Sequence, residues 1–323
     1  MLSQPEISSE VLKELYQTML KIRIFEEKVA ELIIKGEITC PTHLYLGQEA
    51  IAAGVCANLR NDDWVFSNHR SHGHYIAKGG DINALMAEIY CKKAGCSKGR
   101  GGSMHVVSFK NRVAGSSAIV GGGIPIALGV ALSSLLQNKD YVSVAFFGDG
   151  AVSEGIFYES LNFASLKKLP VTFVCENNLY ATHLHISDCL AETNISKKAE
   201  IFKMNAVKID GNNVIEVYKA SKAAIEKARY DKEPALIECQ TYRWMGHSGA
   251  SDDLNEGLRN KAEWDYWKSR CPVKMFEESL LQNGVISETE IAYTRKVISK
   301  HVEDSVIFAR ESPVPDELGS ENL

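Results

Sequence analysis

The chain has 323 residues, of which 45% are hydrophobic and 24% charged, and its net charge is −5. These are the values of a globular protein with room for a large core. They exclude the basic face that nucleic acid requires, and no run of about 18 apolar residues offers a membrane span.

The N-terminal residues MLSQPEISSE lack the basic-then-apolar order of a secretory signal. Leu12, Leu15, Tyr16, Met19, Leu20, Phe25, Val29 and Leu32 recur at helical spacing and predict a long amphipathic helix over 9–35, stopped by Gly36. A second helix is expected from near Gln48. The stretch VFSNHRSHGHYIAKGG (65–80) gathers His69, Arg70, His72 and His74. Its spacing fits a zinc site or an anion pocket; zinc is disfavoured by the arginine and by the lack of a fourth soft ligand nearby. Residues 92–123 are rich in glycine, serine and basic residues and predict a long loop that orders against a partner or a ligand. Cys91 and Cys96 lie closest of eight scattered cysteines, none in Cys-x-x-Cys. They read as reduced thiols of a cytoplasmic protein rather than as a zinc knuckle.

From residue 123 onward helical and apolar segments alternate: GIPIALGVALSSLL, then YVSVAFF, EGIFYESLNFASLKK, PVTFVC, NAVKID, NVIEVYKASKAAIEKARY and PALIECQTY. Strands apolar along their whole length are buried on both faces, so the expected fold is α/β, a doubly wound, mostly parallel sheet flanked by helices. The chain reads as one domain over 1–323, with a helical N-terminal extension to about residue 40 and a helical tail from about 251 that frays in ESPVPDELGSENL.

In such sheets ligands bind beyond the carboxyl ends of the strands. There the sequence places Gly148-Asp149-Gly150, then Asn177-Asn178 with Tyr180, then His247-Ser248. A carboxylate, an amide oxygen and a main-chain carbonyl are hard donors suited to Mg²⁺. Twenty-six residues (151–176) separate Gly150 from Asn177, the span of one helix and one strand, which sets the two ends side by side.

GDG followed about thirty residues later by NN resembles the diphosphate–magnesium motif of thiamine-diphosphate enzymes. In order, THLYLGQEA (42–50), HRSHGHYIAKGG, KGRGGSMH (98–105), AIVGGGIP, GDGAVSEG, LPVTFVCENNLY and TYRWMGHS resemble the α subunit of the first component of 2-oxo acid dehydrogenase complexes, the acetoin and pyruvate types above all. The resemblance implies thiamine diphosphate and Mg²⁺ as cofactors. It implies Asp149, Asn178 and the Tyr180 carbonyl as metal ligands, and Arg70 as the diphosphate clamp. His69 stands where pyruvate-type members have tyrosine. Gly150 and Ala151 would present N–H groups to phosphate at a helix start, and Ala118 and Val120 would lie near the aminopyrimidine. His247 would sit over the diphosphate and reach the substrate, and His43 would stand at the mouth of the site as the second catalytic candidate.

The implied reaction is cleavage beside the keto group of a 2-oxo acid or an acyloin, with transfer of the acyl unit to a lipoyl-bearing acyltransferase. The activating glutamate is expected from a β subunit, in an α₂β₂ heterotetramer. Departures at Ser117-Ala118, Ser153 and Ala181–His185 touch substrate and loop geometry. They leave open an acyloin-type synthase without a lipoyl partner, and an inactive scaffold subunit is the non-enzymatic alternative.

Overall fold

The computed structural model describes residues 7–316; the last part of the tail expected to fray lies outside them. Six parallel strands make the central sheet: β1 (Trp64–Asn68), β2 (Val113–Ser117), β3 (Ser143–Gly148), β4 (Val171–Asn177), β7 (Asn205–Asp210) and β8 (Ala235–Gln240), in the order β2-β1-β3-β4-β8-β7. A two-stranded antiparallel hairpin, β5 (Tyr180–Ala181) and β6 (Leu184–His185), follows β4. The α/β, doubly wound expectation is met.

Alternate residues of β3 enter opposite layers, as period two requires. Ala145 and Phe147 pack with Phe157 and Leu161 of α6 (Gly155–Lys167) and with Ile124 and Ala127 of α5 (Gly123–Leu136). Val144 and Phe146 pack with Ile51 and Val55 of α2 (Glu49–Cys56) and with Val217 and Ile225 of α9 (Val214–Glu226). Outside α2 lies a third layer built on α1 (Ser9–Ile34), α3 (His72–Ala77) and α4 (Ile82–Ile89), joined by α11 (Pro272–Gln282) and α12 (Glu288–Glu311). Among the described residues three further short α-helices follow: α7 (Ile186–Cys189), α8 (Ser196–Glu200) and α10 (Lys261–Ser269).

The Ser8 side chain caps α1 by accepting the Val11 N–H at 3.4 Å. Leu15, Met19, Phe25 and Val29 turn its stripe into the core, and Gly36 at φ +74° ends the helical run.

Residues 92–123 differ from the expected loop in need of a partner. The buried Glu88 carboxylate, on α4, accepts the N–H groups of Ser97 (2.7 Å), Gly99 (2.9 Å), Gly101 (2.7 Å) and Gly102 (3.0 Å). One buried charge with four charge-assisted bonds orders the glycine-rich turns from within the chain. The segment also contributes β2, an edge strand, and buries Val106 and Val113.

The chain leaves β1 toward β2 on one side and toward β3 on the other. The strand order therefore switches between β1 and β3, and a crevice opens beyond their carboxyl ends.

Candidate active site

At that switch point lies a cavity of about 250 Å³. His69 and Arg70 enter it from the end of β1, Asp149 to Ala151 from the end of β3, and Asn178 and Tyr180 from beyond β4. His247 comes from the segment after β8. Gly148 pairs with Glu176 across β3 and β4, so the Gly-Asp-Gly and Asn-Asn segments do end on adjacent strands.

Asp149 is buried, and its Oδ1 accepts the Asn178 N–H at 3.3 Å. Among the described residues no cationic side chain lies within ion-pair distance of it, and burial pushes its carboxyl up to about 6. The Asn178 Oδ1 accepts the Tyr180 N–H at 3.3 Å, and its Nδ2 donates to Gln48 Oε1 at 3.4 Å. Tyr180 turns its hydroxyl away, donating to Glu263 at 2.7 Å. Gly150 and Ala151 lie in a five-residue 3₁₀ turn, Asp149–Ser153, rather than in the first turn of α6, which begins at Gly155. The polar N–H groups expected at an α-helix start thus belong to this tighter turn.

Arg70 is buried and held from three directions. Its N–H donates to Asn68 Oδ1 at 2.7 Å, and its guanidinium donates to the Leu44 carbonyl at 2.7 Å and the His247 carbonyl at 3.2 Å. Asn68 in turn donates to Glu176 at 3.3 Å. Burial pushes Arg70 down to about 10 and Arg243 down to about 9, and neighbouring guanidiniums add to both shifts. Arg243 and Arg259 share the buried Asp253 carboxylate at 3.5 and 3.8 Å, whereas among the described residues no carboxylate lies within ion-pair distance of Arg70. Arg243 donates to the Thr182 and Met245 carbonyls, and Arg259 donates to the Arg243 and Met245 carbonyls at 2.7 and 2.8 Å. The two arginines thereby fix the chain that carries His247.

The histidines of 65–80 do not converge. His72 bonds Glu26 at 2.8 Å and Ser103 at 2.9 Å, while His74 bonds Ser67 at 2.7 Å and Glu176 at 3.0 Å. Both sets are fully buried, so no zinc site forms from His69, His72 and His74. His69 instead meets His43 and His247, with ring centroids 4.7 and 5.4 Å away, and His43 and His247 lie 5.0 Å apart. Burial and then the Arg70 charge push the three imidazoles down, to about 3 for His43, 2 for His69 and 4 for His247. They are neutral at physiological pH. Val120 lines the cavity, whereas Ala118 is exposed and does not.

Four positions in or against the site escaped the sequence. Gln48 lines the cavity, fully buried, with its Nε2 lacking any partner; its signal was the LGQEA segment, read only as a helix start and as part of a resemblance. Arg243 stood in TYRWMGHS without a role. Glu176 precedes the Asn-Asn pair and looked like strand, and Arg259 carried no local signal at all.

Residues 16–317 match the family model described as dehydrogenase E1 component. The chain belongs to the dehydrogenase E1 component family. It is 40% identical over 301 residues to the α subunit of acetoin:2,6-dichlorophenolindophenol oxidoreductase of Bacillus subtilis (strain 168), covering 93% of this chain and 89% of that one. It is 40% identical to the chloroplastic pyruvate dehydrogenase E1 component subunit alpha-3 of Arabidopsis thaliana, covering 94% of this chain and 71% of that one. The pyruvate dehydrogenase E1 α subunit of Porphyra purpurea is 38% identical, with 97% and 92% covered. The resemblance read from the motifs is thereby confirmed, and an enzyme of the pyruvate or acetoin dehydrogenase type is its meaning.

Proposed function

We propose that this chain is the α subunit of an E1 component that binds thiamine diphosphate through Mg²⁺ and acts on a pyruvate-like 2-oxo acid or on acetoin. One observation carries the reading. The pocket holds a buried carboxylate without a cation (Asp149) and a buried guanidinium without an anion (Arg70). A metal ion bound to a diphosphate compensates both, and a donor without a partner, Gln48 Nε2, points to further polar contact.

Asp149, the Asn178 amide oxygen and the Tyr180 carbonyl are the oxygen donors that would hold Mg²⁺. Arg70 and the N–H groups of Gly150 and Ala151 would hold phosphate oxygens, a planar fork and main-chain donors being suited to them. When bound, the cofactor's thiazolium ring supplies the electron sink for cleavage beside a carbonyl. His247 and His43, held neutral, each keep one ring nitrogen protonated and one with a free lone pair. His247 can therefore give or take a proton on the substrate side, and His43 orients it.

The support for a partner subunit is α5, apolar nearly all round as a fully buried helix is, yet exposing Ile126 (59%) and Leu136 (74%). Ile119 and Val120, at the cavity rim, are also exposed. A β subunit covering this face would bring the aminopyrimidine half of the site and its activating glutamate, in an α₂β₂ assembly. A lipoyl-bearing acyltransferase would take the acyl unit. All eight cysteines are free thiols, which fits a cytoplasmic, reducing compartment. Among the described residues no helix is long and apolar enough to cross a membrane.

The test is calorimetric titration of thiamine diphosphate into the α/β assembly, with and without Mg²⁺. Asp149→Ala is expected to abolish measurable binding, because it removes the metal's only charged ligand from this chain. Unchanged affinity in the variant defeats the metal assignment.

A further inference from the structure

We propose that His43, His69 and His247 form a binding site for a divalent transition ion of intermediate softness, Zn²⁺ above all, distinct from the oxygen-lined Mg²⁺ position at Asp149 and Asn178. The inference goes beyond the cofactor reading and does not depend on it.

One ring nitrogen from each imidazole lies within 4.8 Å of those of the other two. The three rings come from distant points of the chain, the 42–48 segment, the end of β1 and the segment after β8, and their mutual centroid distances are 4.7–5.4 Å. A tetrahedral ion with Zn–N bonds of about 2.0–2.1 Å sets its ligands about 3.4 Å apart, so the rings need close in by at most roughly 1.4 Å. A second observation points to a ligand. His43 is 6% exposed, and its Nδ1 is buried without any hydrogen-bond partner. A buried lone pair or N–H left unpaired is costly, and coordination would relieve it.

The ligand set is chemically apt. Neutral imidazole suits Zn²⁺, Cu²⁺ and Ni²⁺, and three of them leave the fourth coordination position open toward the cavity that His69 and His247 line. The Arg70 guanidinium, which donates to the His247 carbonyl, opposes the cation by Coulomb repulsion. It sets the affinity below that of a three-histidine site with no cationic neighbour. A bound ion would tie together the three segments and obstruct the cavity at the wall that His69 and His247 form, making the site inhibitory.

Metal-stripped α/β assembly, free of thiamine diphosphate, is titrated with Zn²⁺ against a chromogenic chelator. The same titration is run on His43→Gln, His69→Gln and His247→Gln. The eight thiols contribute equally to all four proteins, so the wild type should take up one equivalent more per α chain than each variant. If the four titrate alike, the proposal is wrong. Co²⁺ on the wild type gives a readout that needs no variant to fold. The expected visible spectrum is that of a four-coordinate ion with nitrogen and oxygen ligands and no thiolate charge transfer. A spectrum showing only thiolate-bound cobalt, or none bound, overturns the site. Either failure leaves the Asp149→Ala titration, and with it the cofactor reading, untouched.

Discussion

His72 and His74 are fully buried with both ring nitrogens bonded, whereas His43, His69 and His247 have few partners and face one another around a cavity. The difference lies in the neighbours. His72 stands between Glu26 on α1 and Ser103, whose Oγ also accepts the His43 N–H at 3.4 Å, so it fixes the backbone that carries the site without entering it. His72→Ala would leave the Glu26 carboxylate buried and unpaired. Leaving a buried hydrogen-bonding group unsatisfied costs about 1–3 kcal/mol, and urea denaturation should show a loss of that size. Zinc uptake in the same variant should keep its stoichiometry, because His72 is no ligand of the three-histidine cluster, and lose only the affinity that His43 owes to Ser103. A loss of stability below about 1 kcal/mol would mean that Glu26 finds water or another donor.

Among the elements, the glycine-rich turns after α4 show how a segment of weak propensity acquires one conformation. Few apolar side chains hold residues 97–102; four N–H groups directed at Glu88 do. Gly99 and Gly102 adopt φ of +73° and +60°, which a side chain would strain, so the glycines serve the convergence on the carboxylate. Glu88→Ala removes the shared acceptor and leaves those donors to water. Hydrogen exchange at 97–102 should then rise at least about tenfold, as expected when hydrogen bonds worth 1.5–3 kcal/mol each are lost. Protection that persists would assign the loop's order to the packing of Val106 and Val113. Because Ser103 follows directly, the same change should also loosen His43.

For the whole molecule, the exposed apolar face of α5 and the cavity rim at Ile119 and Val120 are the surfaces that a lone chain leaves wet. Permanent interfaces of this kind commonly bury more than about 2,000 Å² and resemble a core cut in two. The α chain by itself should therefore self-associate or aggregate in light scattering and show no turnover with pyruvate or acetoin. A monodisperse, active monomer would contradict the two-subunit reading. In the assembly, Ile126→Glu places a charge where that interface would exclude water, and co-purification of the β subunit should fall sharply. Undiminished co-purification would move the interface to another face of the chain.

The sequence by itself determined the layered α/β architecture, because buried strands and amphipathic helices differ in period and the alternation from residue 123 onward is plain. It also pointed to Asp149 and Asn178 meeting, since a strand–helix–strand unit most often sets its two strands side by side, and β3 and β4 do pair. It did not show β1 and β2. WVFSN and VAGSS are five residues each, the second with glycine and three small side chains, and they become strands only by pairing with one another and with β3. Nor could it choose among the histidines. Local spacing grouped 69, 72 and 74, but side chains at a strand end and on the following helix turn point in different directions, and the fold brought residues 43 and 247 to His69 from far along the chain. Gln48, Glu176, Arg243 and Arg259 gained their roles in the same way. Gln48 and Glu176 meet partners 130 and 102 residues away and Arg243 meets Thr182 across 61, while Arg259 reaches Arg243 across 16, so their burial beside other charges is a property of the assembled tertiary structure alone.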